Sequence, residues 1–145
     1  MSKSTSVCNS ILALIFNATA WADIAENDAS GPLTNLYLSL HTADPGVGGS
    51  QQTNEATYTG YARLAVVRTT SGWTVPSSGS TSNAALAQFV ICSGGSNSIT
   101  HVAIGKADTG AAGLVLYAGA LNSPRSVSNG IQPQFAIGGL VVTES

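Results

Sequence analysis

The chain has 145 residues, the size of a single domain with one core, and only 8% of them are charged, about a third of the share in an average soluble chain. Solubility must therefore come from Ser, Thr, Asn, Gln and exposed backbone. A net charge of −2 with scattered Lys and Arg excludes the basic stripe that nucleic-acid binding requires. No apolar run reaches the roughly 20 residues of a membrane-spanning helix.

The first element in the chain is a helix expected over residues 5–27. Val7, Ile11, Leu14, Ile15, Ala18, Ala22 and Ala25 fall at the three-and-four spacing of one face. Leu12, Phe16 and Ala20 widen that face, which is expected to pack on the chain's own sheet, with a position between subunits as the alternative. Thr5 or Ser6 offers an N-cap, and Gly31 with Pro32 offers a stop. The run 11–16 followed by Ala20, Trp21 and Ala22 also imitates an export signal, but Asn17 cuts it short and the chain begins at Met1. A retained helix is the expectation. Asp23, Glu26 and Asp28 cluster at its far end, as a solvated terminus or as an acidic contact for a partner.

Residues 36–73 organise the rest of the chain. Leu36, Leu38 and Leu40 alternate with Tyr37, Ser39 and His41 as a half-buried strand. Asp44, Pro45 and Gly46 make a bend, because Asp bonds its own backbone, Pro fixes φ and Gly accepts positive φ. A long polar loop leads to a second strand over 62–67, and Trp73 to Val75 read as a third that ends at Pro76. Residues 77–83 are an expected loop and 84–91 a strand. The remaining strands fall at 99–105, 114–120 and 125–128, with Asn129 and Gly130 as a type I′ turn into a last strand over 131–142 that Gly138 and Gly139 interrupt. About eight short strands behind one helix, with residues 35–145 in the β portion, indicate a mainly β sandwich or barrel.

Chemistry-bearing motifs are scarce. His41, Asp44 and His101 have no metal-ligand spacing, no serine sits in a nucleophile elbow, and Gly46, Gly48 and Gly49 lack the Lys and helix of a phosphate loop. No metal, no cofactor and no enzymatic activity are expected. Cys8 and Cys92 are too few to form a disulfide framework and are expected as buried free thiols. After Arg68 the only charged residues are Lys106, Asp108, Arg125 and Glu144. That depletion fits a tolerated uncharged β surface or one covered by partner subunits.

Glu55, Tyr58, Tyr61 and Arg63, with Asp44 at the start of the loop, form the one polar and aromatic cluster suited to recognition. Tyr and Arg anchor interfaces, and a loop of this length in a compact domain commonly has a function. Three roles are open to it: a lid on one end of the sandwich, a protein contact, or a glycan surface.

The strings LYLSLHTADPG, TNEATYTGYARLAVVRTTSGWTV, HVAIG, LVLYAGAL and SVSNGIQPQF resemble a family of small tailed-bacteriophage virion proteins. Members are often labelled tail-fibre-like and are similar to the cement, or decoration, proteins of podovirus-like heads. The resemblance implies a jelly-roll-like antiparallel sandwich that forms homodimers or other small oligomers. It implies a place on the outer capsid surface, clamping a shell of HK97-type major capsid proteins after assembly in the host cytoplasm. A tail or fibre component that binds a host glycan or another tail protein is the alternative.

Overall fold

A computed structural model of the protein describes residues 3–21, 24–25, 33–110 and 113–145. The described chain is mainly β, with one helix, α1 (Thr5–Phe16), and eight strands in antiparallel sheets. These are β1 (Asn35–His41), β2 (Leu64–Val67), β3 (Ser80–Ser82), β4 (Ala87–Gln88), β5 (Ser96–Gly105), β6 (Val115–Ser128), β7 (Gln134–Phe135) and β8 (Val141–Thr143). They form a four-stranded sheet in the order β2-β1-β5-β6 and two pairs, β3-β8 and β4-β7. The chain divides into two units, each built from separated segments. One draws on Met1–Asn35, Val67–Ala87 and Phe135–Ser145, the other on Leu36–Val66 and Gln88–Gln134.

In the first unit α1 is shorter than its periodicity suggests. Ser4, one residue ahead of the expected caps, accepts the Val7 N–H through its side chain. The helix ends at Phe16 because Ala18 turns left-handed (φ 51°). Arg68 then supplies the end group: its Nε donates to the Ile15 carbonyl at 2.7 Å and its Nη2 to that of Leu14 at 2.8 Å. A cation at the carbonyl end of a helix satisfies orphan acceptors and complements the dipole. The expected continuation to residue 27 is therefore corrected. Ala22, the acids Asp23, Glu26 and Asp28, and the stop at Gly31 and Pro32 lie outside the described residues.

Cys8, Leu12 and Phe16 form the buried stripe of α1, at the i, i+4 spacing that a helix turns to one side. Phe16 meets Trp73 edge-on, with centroids 4.6 Å apart. Residues 80–82, read from the sequence as loop, are β3, which pairs with β8 in register Thr81 to Val142. Trp73 makes only an isolated bridge to Asn83 in place of the expected strand. Asn83, 1% exposed, ties this unit together. Its side-chain amide donates to the carbonyls of Ala85 and Ala136, each at 2.8 Å, and its Oδ1 accepts the Leu140 N–H at 2.8 Å.

The four-stranded sheet belongs to the second unit apart from its outermost residues. Leu36, Leu38 and Leu40 fill one face as expected, but Ser39 and His41 on the other face are also fully buried. β1 pairs with β5 from Tyr37 opposite Gly105 to His41 opposite His101. The expected strands at 114–120 and 125–128 are one continuous β6, and both parts pair with β5. Asn129 lacks the positive φ that a type I′ turn requires, whereas Gly130 has φ 86°. The expected hairpin is thus replaced: Gly130 N–H bonds the Cys92 carbonyl at 2.8 Å and the chain leaves for β7. Cys8 and Cys92 are free and buried, as expected.

Asn83→Ala removes one buried and two part-buried hydrogen bonds. It is expected to destabilise the protein by about 3 kcal/mol, measured by urea denaturation. A loss below about 1 kcal/mol would show that these loops do not depend on Asn83.

Candidate functional site

The loop after β1 begins as its sequence requires. Asp44 Oδ1 accepts the Gly46 N–H at 2.8 Å, and the Asp44 carbonyl accepts from the Asn54 side chain at 3.0 Å. Asp44 is exposed, and its bonds close the base of the loop. The chain then returns alongside β1, with Thr42 N–H on the Asn54 carbonyl and Ala56 N–H on the Leu40 carbonyl, each at 2.8 Å. This return places Glu55 beside Tyr61 and Arg63.

Arg63 meets Glu55 as a two-pronged pair, Nε to Oε1 at 2.7 Å and Nη2 to Oε2 at 2.8 Å. The two side chains are only 4% and 12% exposed. The rest of the guanidinium is also used, with Nη1 donating to the Ala107 carbonyl at 3.1 Å and Nη2 to that of Gly110 at 3.0 Å. Bonding to Glu55 pushes the Arg63 pKa up, so its charge is permanent. The Tyr61 hydroxyl donates to Glu55 Oε1 at 2.8 Å and accepts the Leu40 N–H at 3.1 Å. Burial raises the Tyr61 pKa well above the ordinary phenol value.

Tyr58 is 3% exposed, and its hydroxyl donates to the Val90 carbonyl at 3.0 Å. Burial pushes that hydroxyl up to about 12. The ring stands edge-on to Tyr61 with centroids 5.3 Å apart, and Tyr61 stacks on Phe89 at 6.4 Å. The structure thus brings Glu55, Tyr58, Tyr61 and Arg63 together, but with their polar atoms spent on one another and on backbone. Asp44 stands apart from them on the loop surface. The sequence groups these four residues, while their inward commitment depends on a loop path that spacing does not reveal.

Two further polar residues, His41 and Gln51, are buried in this unit. His41 Nδ1 lies 2.8 Å from the Thr53 carbonyl, and Nε2 lies 2.8 Å from the Ser39 hydroxyl. A carbonyl only accepts, so Nδ1 carries the proton and Nε2 accepts from Ser39. Burial holds the His41 pKa below its usual value, against the opposing pull of the Thr53 carbonyl. Gln51, fully buried, donates to the Tyr37 carbonyl at 3.1 Å and accepts the Ala107 N–H at 3.0 Å. A Cβ at Gly105 would land on the Gln51 amide, which is why glycine closes β5. Gln51 sits in a uniformly polar run, so only the facing glycines, Gly105 and Gly113, could have hinted at it.

The Ser39 hydroxyl and His41 Nε2 are paired as a nucleophile and a base would be, but both side chains are fully buried, out of a substrate's reach. Among the described residues no group of three or more His, Cys, Asp or Glu is placed to hold a metal ion, and no helix is long and apolar enough to cross a membrane. Residues 2–143 match the family described as Podophage GP4 fiber I protein gp80. The chain belongs to this family. It is a structural phage virion protein of the fibre, not an enzyme. The family description corrects the expected cement role on the outside of the capsid, in favour of the fibre alternative. No curated protein matches the chain.

Two outcomes test this site. Arg63→Ala strands the Glu55 carboxylate in a buried setting and is expected to cost about 3–5 kcal/mol in thermal or urea unfolding. Arg63→Lys should recover little, because an ammonium cannot reproduce the two-pronged geometry. Separately, His41 takes up its proton only on unfolding, so stability is full above about pH 6.5 and falls below it. The expected slope is about 1.4 kcal/mol per pH unit until the lowered folded pKa is reached. His41→Asn should flatten that slope, and an unchanged slope would assign the pH dependence to another group.

Proposed function

We propose that the chain is a building subunit of a podophage fibre that joins neighbouring proteins through uncharged β-strand surface. The observation that carries this reading is where the recognition-type residues have gone. Among the described residues no aromatic side chain is exposed, and Glu55, Tyr61 and Arg63 satisfy one another. A surface that reads host glycans would need outward rings, which combine an apolar face with a polar tip. Arg125 aside, the exposed residues of the strands are uncharged, among them Val67, Gln88, Ser96, Asn122 and Val141. Depletion of charge at such a surface suits a protein neighbour, so the fibre component that binds another virion protein is favoured over the one that binds a glycan.

Quantitative mass spectrometry of purified virions, with antibody labelling in the microscope, tests the placement. The expected result is far fewer copies than the major capsid protein, with label on fibres. Parity with the shell protein and label over the head would restore the cement reading.

A further inference from the structure

Asn129 is the one asparagine in the chain that precedes a glycine, and that dipeptide carries a reaction of its own. Once the Gly130 amide nitrogen loses its proton, it can attack the carbonyl carbon of the Asn129 side chain, with no Cβ on the glycine to obstruct the approach. The new C–N bond closes a cyclic succinimide, and the side-chain nitrogen leaves as ammonia with protons taken from water. Water then opens the ring. Attack at the side-chain carbonyl gives aspartate, and attack at the main-chain carbonyl gives isoaspartate, whose chain runs on through the former side chain. The balance is hydrolysis of one amide by water and base.

Solvent reaches the reacting groups. Asn129 and Gly130 are both exposed, and a Cβ placed at Gly130 meets nothing within 4 Å. The backbone, by contrast, is closed against the reaction in two ways. Ile131 N–H donates to the Ser128 carbonyl at 2.9 Å, so Asn129 and Gly130 are the central residues of a β-turn. Gly130 has φ 86° and Asn129 has no positive φ, which makes the turn type II, with an extended ψ at its first central residue. That ψ directs the Gly130 nitrogen away from the Asn129 side chain, whereas ring closure needs the nitrogen brought round to Cβ. The proton that must be lost is also engaged, because Gly130 N–H donates to the Cys92 carbonyl at 2.8 Å. Cys92, 1% exposed, returns a second bond from its own N–H to the Ile131 carbonyl at 2.9 Å. The turn is therefore fastened to a buried residue on both sides of the reactive amide.

We propose that Asn129 is a deamidation site that this turn holds shut, and that it reacts only when the Gly130 to Cys92 bond opens. Opening frees the amide proton and lets ψ of Asn129 rotate in one event. The observed rate is then the chemical rate of the free dipeptide multiplied by the fraction of molecules in which the turn is open. Either product marks the place where β6 leaves for β7. Aspartate puts a negative charge there, and isoaspartate also lengthens the main chain by a methylene, which displaces the turn from Cys92. The modification is irreversible, so each opening that ends in reaction leaves a turn with altered bonding. The proposal goes beyond the fibre assignment and does not depend on it.

Peptide mapping by mass spectrometry tests the site, on the purified full chain held in mildly alkaline buffer with and without guanidinium chloride. In the denaturant, aspartate and isoaspartate are expected to accumulate at position 129. In the folded chain the same conversion should be slower by about tenfold or more, since it waits on local opening. Hydrogen exchange at the Gly130 amide is the second readout, because it begins with loss of the same proton, and it should be slowed by a comparable factor. Equal conversion of the folded and unfolded chains overturns the proposal, as does an absence of conversion in the denaturant. A Gly130 amide that exchanges in the folded chain as fast as in the unfolded one overturns it too.

Discussion

The Arg63–Glu55 pair is the constraint on which the second unit depends. Two opposite charges taken out of water cost several kcal/mol each unless geometry and hydrogen bonding are nearly complete. Here the geometry is nearly complete: both carboxylate oxygens are occupied, and the guanidinium reaches the Ala107 and Gly110 carbonyls as well. Because Glu55 comes from the long loop, Arg63 from the approach to β2 and the carbonyls from the turn after β5, three remote segments share one electrostatic condition. Each must be in place for the other two to be tolerated. The loop therefore behaves as part of the sheet's frame although it contains little regular structure.

Around that pair the buried polar groups form a graded set. Tyr61 links Glu55 to the β1 backbone, His41 links β1 to Thr53 in the loop, and Gln51 links the loop to β1 and to the turn after β5. Most of these are neutral bonds, worth about 1 kcal/mol each when made and more when broken on one side only. In a chain with few charges and a modest apolar core, such bonds specify one loop path among many that hydrophobic burial alone would accept.

How much of the fold is legible in the sequence depends on the range of the interaction concerned. The alternation of Leu36, Leu38 and Leu40, the Asp44 to Gly46 bend and the mainly β character follow from local chemistry, and the structure contains them. The α1 stop does not, because it is made by Arg68 from far along the chain and by a left-handed Ala18 with no glycine to announce it. The Asn129 and Gly130 dipeptide illustrates the converse. Its local preference for a tight hairpin is overridden by pairing of the whole of β6 with β5, so a sound turn signal assigned the wrong partners. Glu55, Tyr58, Tyr61 and Arg63 are recognisable as a cluster, but their direction is not, since solvent exposure is decided by the loop's return beside β1.

The interleaving of the two units also bears on biosynthesis. The apolar stripe of α1 packs in a unit whose β3 pairs with β8, and β8 lies near the opposite end of the sequence. At ribosomal rates of about 5–20 residues per second, Cys8, Leu12 and Phe16 are made roughly ten seconds before the strand that completes their unit. During that interval Trp73 is already present to meet Phe16, but β3 still lacks β8, while the second unit acquires all its strands earlier. The order of completion is thus inside first and ends last, so β3 waits without its pairing partner until nearly the whole sequence has been made.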